Sequence, residues 1–155
     1  MTRTGVFAED EHFMRLALRE AIVAGEHGDV PVGAVVVRDG EVIGRGQNER
    51  ELRADPTAHA EMLALRAAAL TLGGWRLTGA VLYVTLEPCP MCAGAIQQAR
   101  ISRTVYGAPD HKIGAAGTVL NILGDPRLLH RVQVQGGVLA AESLGILQRF
   151  FDERR

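Results

Sequence analysis

The sequence has only two cysteines among its 155 residues, and they stand three positions apart. A secreted scaffold of this size normally spreads several along the chain, so a disulfide framework is not expected. No apolar run approaches the about 20 residues needed to span a bilayer. The stretch MTRTGVFAEDEHF carries no apolar signal core. These absences predict a cytoplasmic protein with no membrane partner. Strong charge of either sign is also missing. The formal net charge is −1, which argues against a generic, strongly basic nucleic-acid binder but leaves room for a local basic surface. Lysine is nearly absent, since all but Lys112 of the 17 basic residues are arginine. There is no internal repeat or low-complexity tract, and no dinucleotide cofactor is expected. What remains, 47% hydrophobic and 23% charged, is the composition of one ordinary globular domain covering residues 1–155.

Apolar residues at Phe13, Leu16, Ala17, Ala21 and Ala24 follow a helical period across Glu9–Ala24. Gly25 and Gly28 end that helix. Val32–Arg38 reads as a buried strand, Asp39-Gly40 as a tight turn, and Glu41–Asn48 as the returning strand of a hairpin. Glu49–Ala58 is polar and contains Asp55-Pro56-Thr57, so it reads as a loop running into a helix start. The helix His59–Leu72 is apolar nearly all round, so it is buried on several faces or packs on a partner. Ala80–Thr85 is a strand of β-branched and aromatic type. A third helix covers Met91–Ala99, a fourth strand Arg103–Gly107, and a Gly-rich loop Ala108–Gly117. Arg131–Gln135 is a short fifth strand, and Ala141–Phe151 a final amphipathic helix. A hairpin followed by strand–helix alternation predicts an α/β protein. The expected architecture is a three-layer α/β/α sandwich around a central mixed five-stranded sheet.

Two clusters carry the chemistry. One is His59 and Glu61 in Thr57-Ala58-His59-Ala60-Glu61, and the other is Cys89 and Cys92 in Pro88-Cys89-Pro90-Met91-Cys92. Taken singly, these are an ordinary helix-start histidine and ordinary core cysteines. Taken together, at this order and spacing, they read as a metal site. A close cysteine pair in a reducing compartment means metal or redox chemistry, and a dithiol exchanger has no need of His59 and Glu61. A structural zinc site closes itself with four protein ligands, whereas a catalytic one keeps a position for water. One histidine and two cysteines therefore predict an open Zn²⁺ site, one ion per subunit. Glu61 is left over as the acid that moves protons. The split pattern is that of zinc deaminases. Glu61 lies about 200° round a regular helix from His59, so both face one cavity only at a helix start. His12, His27, His111 and His130 have no metal-like spacing.

With these residues in view, the sequence resembles the bacterial tRNA-specific adenosine deaminases of the cytidine deaminase-like superfamily. The matching stretches are Val30–Val35, Asp55–Glu61, Leu82–Gly94 and Gly114-Ala115-Ala116-Gly117. The resemblance implies a cytidine deaminase-like fold and a hydrolase converting adenosine to inosine at the wobble position of a tRNA anticodon. It also implies a homodimer that binds the anticodon stem-loop near its interface. By position, His59, Cys89 and Cys92 match the zinc ligands and Glu61 the proton shuttle. Asn48 matches a residue that hydrogen-bonds the target nucleotide. Val30, Ala60 and Pro88 match the base pocket, and Asp110 and His111 the loop meeting neighbouring nucleotides. The final helix, with Phe151, matches an element touching the stem-loop. Pro109 and Leu129 depart from the family pattern, which bears on RNA contacts rather than on the reaction.

Two other readings share these motifs. One is a free-base or nucleoside deaminase acting on guanine, cytosine or cytidine. The other is a non-enzymatic, zinc-stabilised RNA-binding module in which Glu61 has no role.

Overall fold

The computed structural model describes residues 3–155. In chain order the elements are α1 Arg3–Glu26, β1 Gly33–Arg38, β2 Glu41–Gln47, α2 Arg50–Arg53, α3 Ala60–Leu72, β3 Val81–Leu86, α4 Pro90–Ala99, β4 Arg103–Ala108, β5 Gln133–Gln135 and α5 Ala140–Asp152. The strands form one sheet in the order β2-β1-β3-β4-β5. β1 is antiparallel to both β2 and β3, and β3, β4 and β5 run parallel. The sheet is mixed, as expected from a hairpin followed by strand–helix units.

Alternation along the strands creates two cores. Val35, Val37, Tyr83 and Val105 point to one face and pack against α1 through Phe13, Met14, Ala17 and Leu18. Ala34, Val36, Leu82 and Val84 point to the other, where α3 and α4 cover them with Ala64, Leu65, Ala68, Ala93 and Ile96. α5 lies on the α1 side. The result is the three-layer α/β/α sandwich that the sequence predicts. Among the described residues, no helix is long and apolar enough to cross a membrane.

Two contacts fix the layers. α3 lies nearly flat on β2 because the facing residues are Gly and Ala. A Cβ at Gly44 would stand 2.4 Å from the Ala64 carbonyl oxygen, and one at Gly46 would stand 2.2 Å from that of Ala60. On the opposite face, Asp10 of α1 is buried and accepts hydrogen bonds from both Arg103 guanidinium nitrogens at 2.8 and 2.7 Å. It also accepts the Tyr83 hydroxyl at 3.0 Å. This buried ion pair ties α1 to β3 and β4.

Two details differ from the sequence-based expectation. α1 begins at Arg3 rather than at Glu9. The segment 49–58, expected as a loop, contains the single turn α2. Its sequence RELR has no apolar period. The turn is held from outside, because the buried Asp29 carboxylate accepts the Glu51 and Leu52 amides at 2.6 and 3.2 Å. Negative charge at a helix amino end is favourable.

The close approach of α3 to β2 gives a direct test. Gly46→Ala should lower the unfolding free energy by about 1–3 kcal/mol through overpacking, measured by urea denaturation. Gly74→Ala, where an added Cβ meets nothing within 4 Å, should change it by less than about 0.5 kcal/mol.

Candidate active site

The two chemical clusters occupy the amino ends of α3 and α4. His59 is the residue preceding α3, with extended backbone (φ −72°, ψ 153°). Cys89 holds the same position before α4 (φ −75°, ψ 173°). Pro90 follows at the first helical position, where its missing N–H costs nothing and its fixed φ fits. The His59 and Cys89 carbonyls accept the first helical hydrogen bonds, from Leu63 at 3.1 Å and Ala93 at 2.8 Å. Their side chains cap nothing. Both are left free to point past the helix ends toward each other. Cys92, in the first turn of α4, is fully buried beneath them.

His59 Nδ1 stands 3.6 Å from Cys89 Sγ and 3.4 Å from Cys92 Sγ. The three donor atoms all lie within 4.8 Å of one another. Zn–S bonds of about 2.3 Å and a Zn–N bond of about 2.0–2.1 Å at a tetrahedral angle place sulfur and nitrogen about 3.6 Å apart. The donor set and its spacing therefore fit Zn²⁺, with three protein ligands and a fourth direction open. Contact with the Cys92 thiol and the His59 ring holds the Cys89 thiol down to about 4, against its own desolvation. The same sulfur–sulfur contact pushes Cys92 up. The hydrogen bond to Cys89 raises His59. The free amides and positive dipole ends of two helices add to the stabilisation of thiolate at this point.

Glu61, in the first turn of α3, is buried and lines the same cavity as His59 and Cys89. Burial pushes its carboxyl up to about 7, with His59 opposing. The cavity measures about 180 Å³, below the about 300–1,000 Å³ of sites for drug-sized ligands, and it suits one flat heterocycle. Val30, Val32 and Asn48 form one wall, and Leu86, Asp110 and Ile113 form the other. Asn48 is buried. Its amide donates to the Val30 carbonyl at 3.1 Å, and its side-chain oxygen accepts the Arg50 amide at 3.3 Å. One amide hydrogen and one lone pair remain for a ligand.

The structure thus brings Val30, Asn48, His59, Ala60, Glu61, Cys89 and Asp110 to one cavity, with Cys92, the third metal donor, buried behind His59 and Cys89. Pro88 is buried, and its carbonyl accepts the Ala115 amide at 2.8 Å, but it does not line the cavity. His111 is exposed on the adjoining loop. Phe151 is about half exposed on α5, while Phe150 beside it packs inward. Sequence reasoning missed Val32, Arg50, Leu86, Glu87 and Ile113 as lining residues. Glu87 did leave a signal, as a charge at the end of an otherwise apolar strand. Burial works to raise its carboxyl, yet the Thr118 hydroxyl and the amides of Asp110, Thr118 and Ala116 outweigh it and hold it below the ordinary carboxylate range.

A His/Cys/Cys donor set with a fourth direction open beside a buried carboxylate is the arrangement of zinc-dependent deaminases. Residues 8–108 match the family model of the cytidine and deoxycytidylate deaminase zinc-binding region. A tRNA-specific adenosine deaminase of Bacillus subtilis is 50% identical over 147 residues, covering 95% of this chain and 91% of that protein. A solved structure from work on A-to-I editing by tRNA:A34 deaminases at the wobble position of transfer RNA superimposes with a TM-score of 0.84. It is 50% identical and covers 87% of this chain and 98% of that one. A guanine deaminase structure from Bacillus subtilis is 42% identical, with a TM-score of 0.63, over 70% of this chain and 69% of that one. The chain belongs to the tRNA-specific adenosine deaminases within the cytidine deaminase zinc-binding family, and zinc is its cofactor.

The donor geometry predicts that His59→Ala and Cys89→Ala each abolish stoichiometric zinc, read by atomic absorption on the purified proteins. Full occupancy in both variants would refute the ligand set.

Proposed function

We propose that this protein hydrolytically deaminates adenosine to inosine at the wobble position of a tRNA anticodon. The observation that carries the chemistry is the opening of three metal donors and one buried carboxylate onto a single base-sized cavity. The RNA substrate is supported by relatives matched over nearly their full length.

In this reading His59 Nδ1, Cys89 Sγ and Cys92 Sγ hold the ion. Bound there, zinc supplies the Lewis acidity that makes water nucleophilic near neutral pH. The Glu61 carboxylate takes the proton of the attacking water and delivers it to the purine ring nitrogen next to the amino-bearing carbon. It then carries a second proton to the departing ammonia, so one group serves as base and acid in turn. Asn48, pinned by Val30 and Arg50, uses its spare donor and acceptor on the nucleotide. Val30 and Ala60 flank the base. Pro88 shapes the pocket from behind, through the Ala115 amide it holds. Asp110 and His111 meet flanking nucleotides, and Phe151 at the end of α5 meets the stem-loop. An anticodon loop suits this cavity because its unpaired bases can be splayed out cheaply.

We further infer a homodimer working in the cytoplasm, with residues 1–155 acting as one catalytic unit. Between α3 and α4 lies a surface groove lined by Met62, Leu65, Ala69, Trp75, Ala95 and Ala99. Trp75 is 54% exposed there, and Leu70 (85% exposed) lines an adjoining shallow pocket with Ala69 and Trp75. An apolar patch of this kind marks a protein contact site, and a second copy is the occupant in this reading. Leu70→Glu should shift the species seen by light scattering from dimer toward monomer.

The likeness to a guanine deaminase favours a second reading, a free-base deaminase with the same chemistry. Incubation with an anticodon stem-loop carrying a wobble adenosine, and separately with guanine, decides between them. Inosine in the RNA and no ammonia from guanine is the expected result, and the reverse pattern would overturn the RNA assignment. Glu61→Ala should retain zinc and fold but lose turnover by a factor of about 10² or more. Unchanged turnover would overturn the proton-shuttle role of Glu61, and no turnover in the wild type would leave only a zinc-stabilised binding module.

A further inference from the structure

Glu87 is a buried carboxylate (2% exposed) with no cation beside it among the described residues. Its oxygens are instead filled by one loop. Oε1 accepts the Asp110 amide at 3.1 Å and the Thr118 hydroxyl. Oε2 accepts the Ala116 amide at 2.9 Å and the Thr118 amide at 3.1 Å. Four donors converge on two oxygens, a load that only an ionised carboxyl group accepts in full. The loop comes this close because residue 114 is glycine. A Cβ there would lie 2.5 Å from Glu87 Cδ and 2.5 Å from the Asp110 carbonyl oxygen. The 110–118 loop is thus the cradle of the Glu87 carboxylate, with Gly114 at its closest approach.

The same loop carries Asp110 and Ile113, which wall the cavity opposite Val30 and Asn48. Asp110 also closes its own turn, since its Oδ1 accepts the Lys112 and Ile113 amides at 2.9 and 3.2 Å. Glu87 meanwhile stands two residues before Cys89. One side chain therefore spans from the metal loop to the pocket wall. We propose that Glu87 is a positioning residue for substrate binding: through the cradle at 110–118 it fixes the Asp110–Ile113 wall at a set distance from the metal donors, and so sets which base and flanking nucleotide fit. This rests on the RNA deaminase reading above.

A glutamine at position 87 has one acceptor oxygen, and its amide N–H₂ would face incoming N–H and O–H donors. The wall then loses its anchor while the zinc donors on α3 and α4 stay in place. Glu87→Gln and wild-type holoenzymes are compared on an anticodon stem-loop. The variant should keep its zinc and raise KM about tenfold or more, because contacts shared by bound substrate and transition state are lost with the wall. Its kcat should stay within about threefold. Amide hydrogen exchange should accelerate at Asp110, Ala116 and Thr118 but not across β1 and β3. Asp110→Ala should raise KM in the wild type and add little in the Glu87→Gln background, because both act through one wall. Gly114→Ala should reproduce the signature, and Thr118→Val, which removes a single donor, should give a smaller shift of the same sign. These two variants carry the test if Glu87→Gln does not fold. An unchanged KM, a loss confined to kcat, or full additivity with Asp110→Ala would overturn the proposal. Absence of inosine with the wild-type enzyme would overturn the function assignment instead, so the two failures are distinct.

Discussion

The site depends on two helix amino ends meeting at one point. A residue just before a helix keeps extended backbone, and its side chain projects past the helix end. α3 and α4 place His59 and Cys89 there, and neither side chain caps its helix. The usual Ser, Thr, Asp or Asn at such a position is worth about 0.5–2 kcal/mol to the helix. Both helices forgo that gain to offer metal donors. Part of the loss is offset locally, by Pro90 at the first position of α4 and by thiolate set against two dipoles. The rest comes from the ion, which links two helices far apart in the chain into one folded unit.

Where those ends meet is set by packing far simpler than the site. α3 can lie on β2 only because Gly44 and Gly46 face Ala60, Ala64 and Ala68. The strand is thereby brought so near the helix that Asn48, just beyond β2, shares a cavity with His59 and Glu61. The parallel pair β3 and β4 does the same for the other side. Glu87, just past the end of β3, and the loop after β4 fall together because the two strands end in register, Leu86 opposite Ala108. The cavity is the space left at the ends of the strands between two helix starts, which is where open α/β sheets place their ligands.

Much of this was legible in the sequence because it is local. Each strand, the hairpin turn and both ligand-bearing helix starts announce themselves within a dozen residues. The Cys89-Pro90 step marks a helix start by itself. What was not legible is held from far away in the chain. α2 has no periodicity of its own and exists because Asp29, 22 residues earlier, accepts its amides. The partners of Glu87 lie 23 to 31 residues downstream, and no local pattern announces a carboxylate reserved for main-chain donors. The same limit applies to pocket lining. Ala60 and Asp110 reach the cavity, whereas Pro88 supports it from behind and His111 turns outward. The paths of the loops decide that, and their course depends on these distant bonds.

Asp29 and Glu87 do matching work. Each is a buried carboxylate whose acceptors are filled largely by main-chain amides of a wall segment, α2 on one side and the 110–118 loop on the other. Bonds to a charged acceptor are stronger than neutral ones and directional, so two loops without apolar cores of their own acquire fixed positions. Metal donors and cavity walls are then carried by different parts of the chain. Glu61 and the metal donors sit on rigid helix starts, while the walls are loops braced by single side chains. A fold divided in this way can change its walls without touching the metal donors. That is a physical reason for a guanine deaminase and a tRNA adenosine deaminase to share so much of their sequence with this chain.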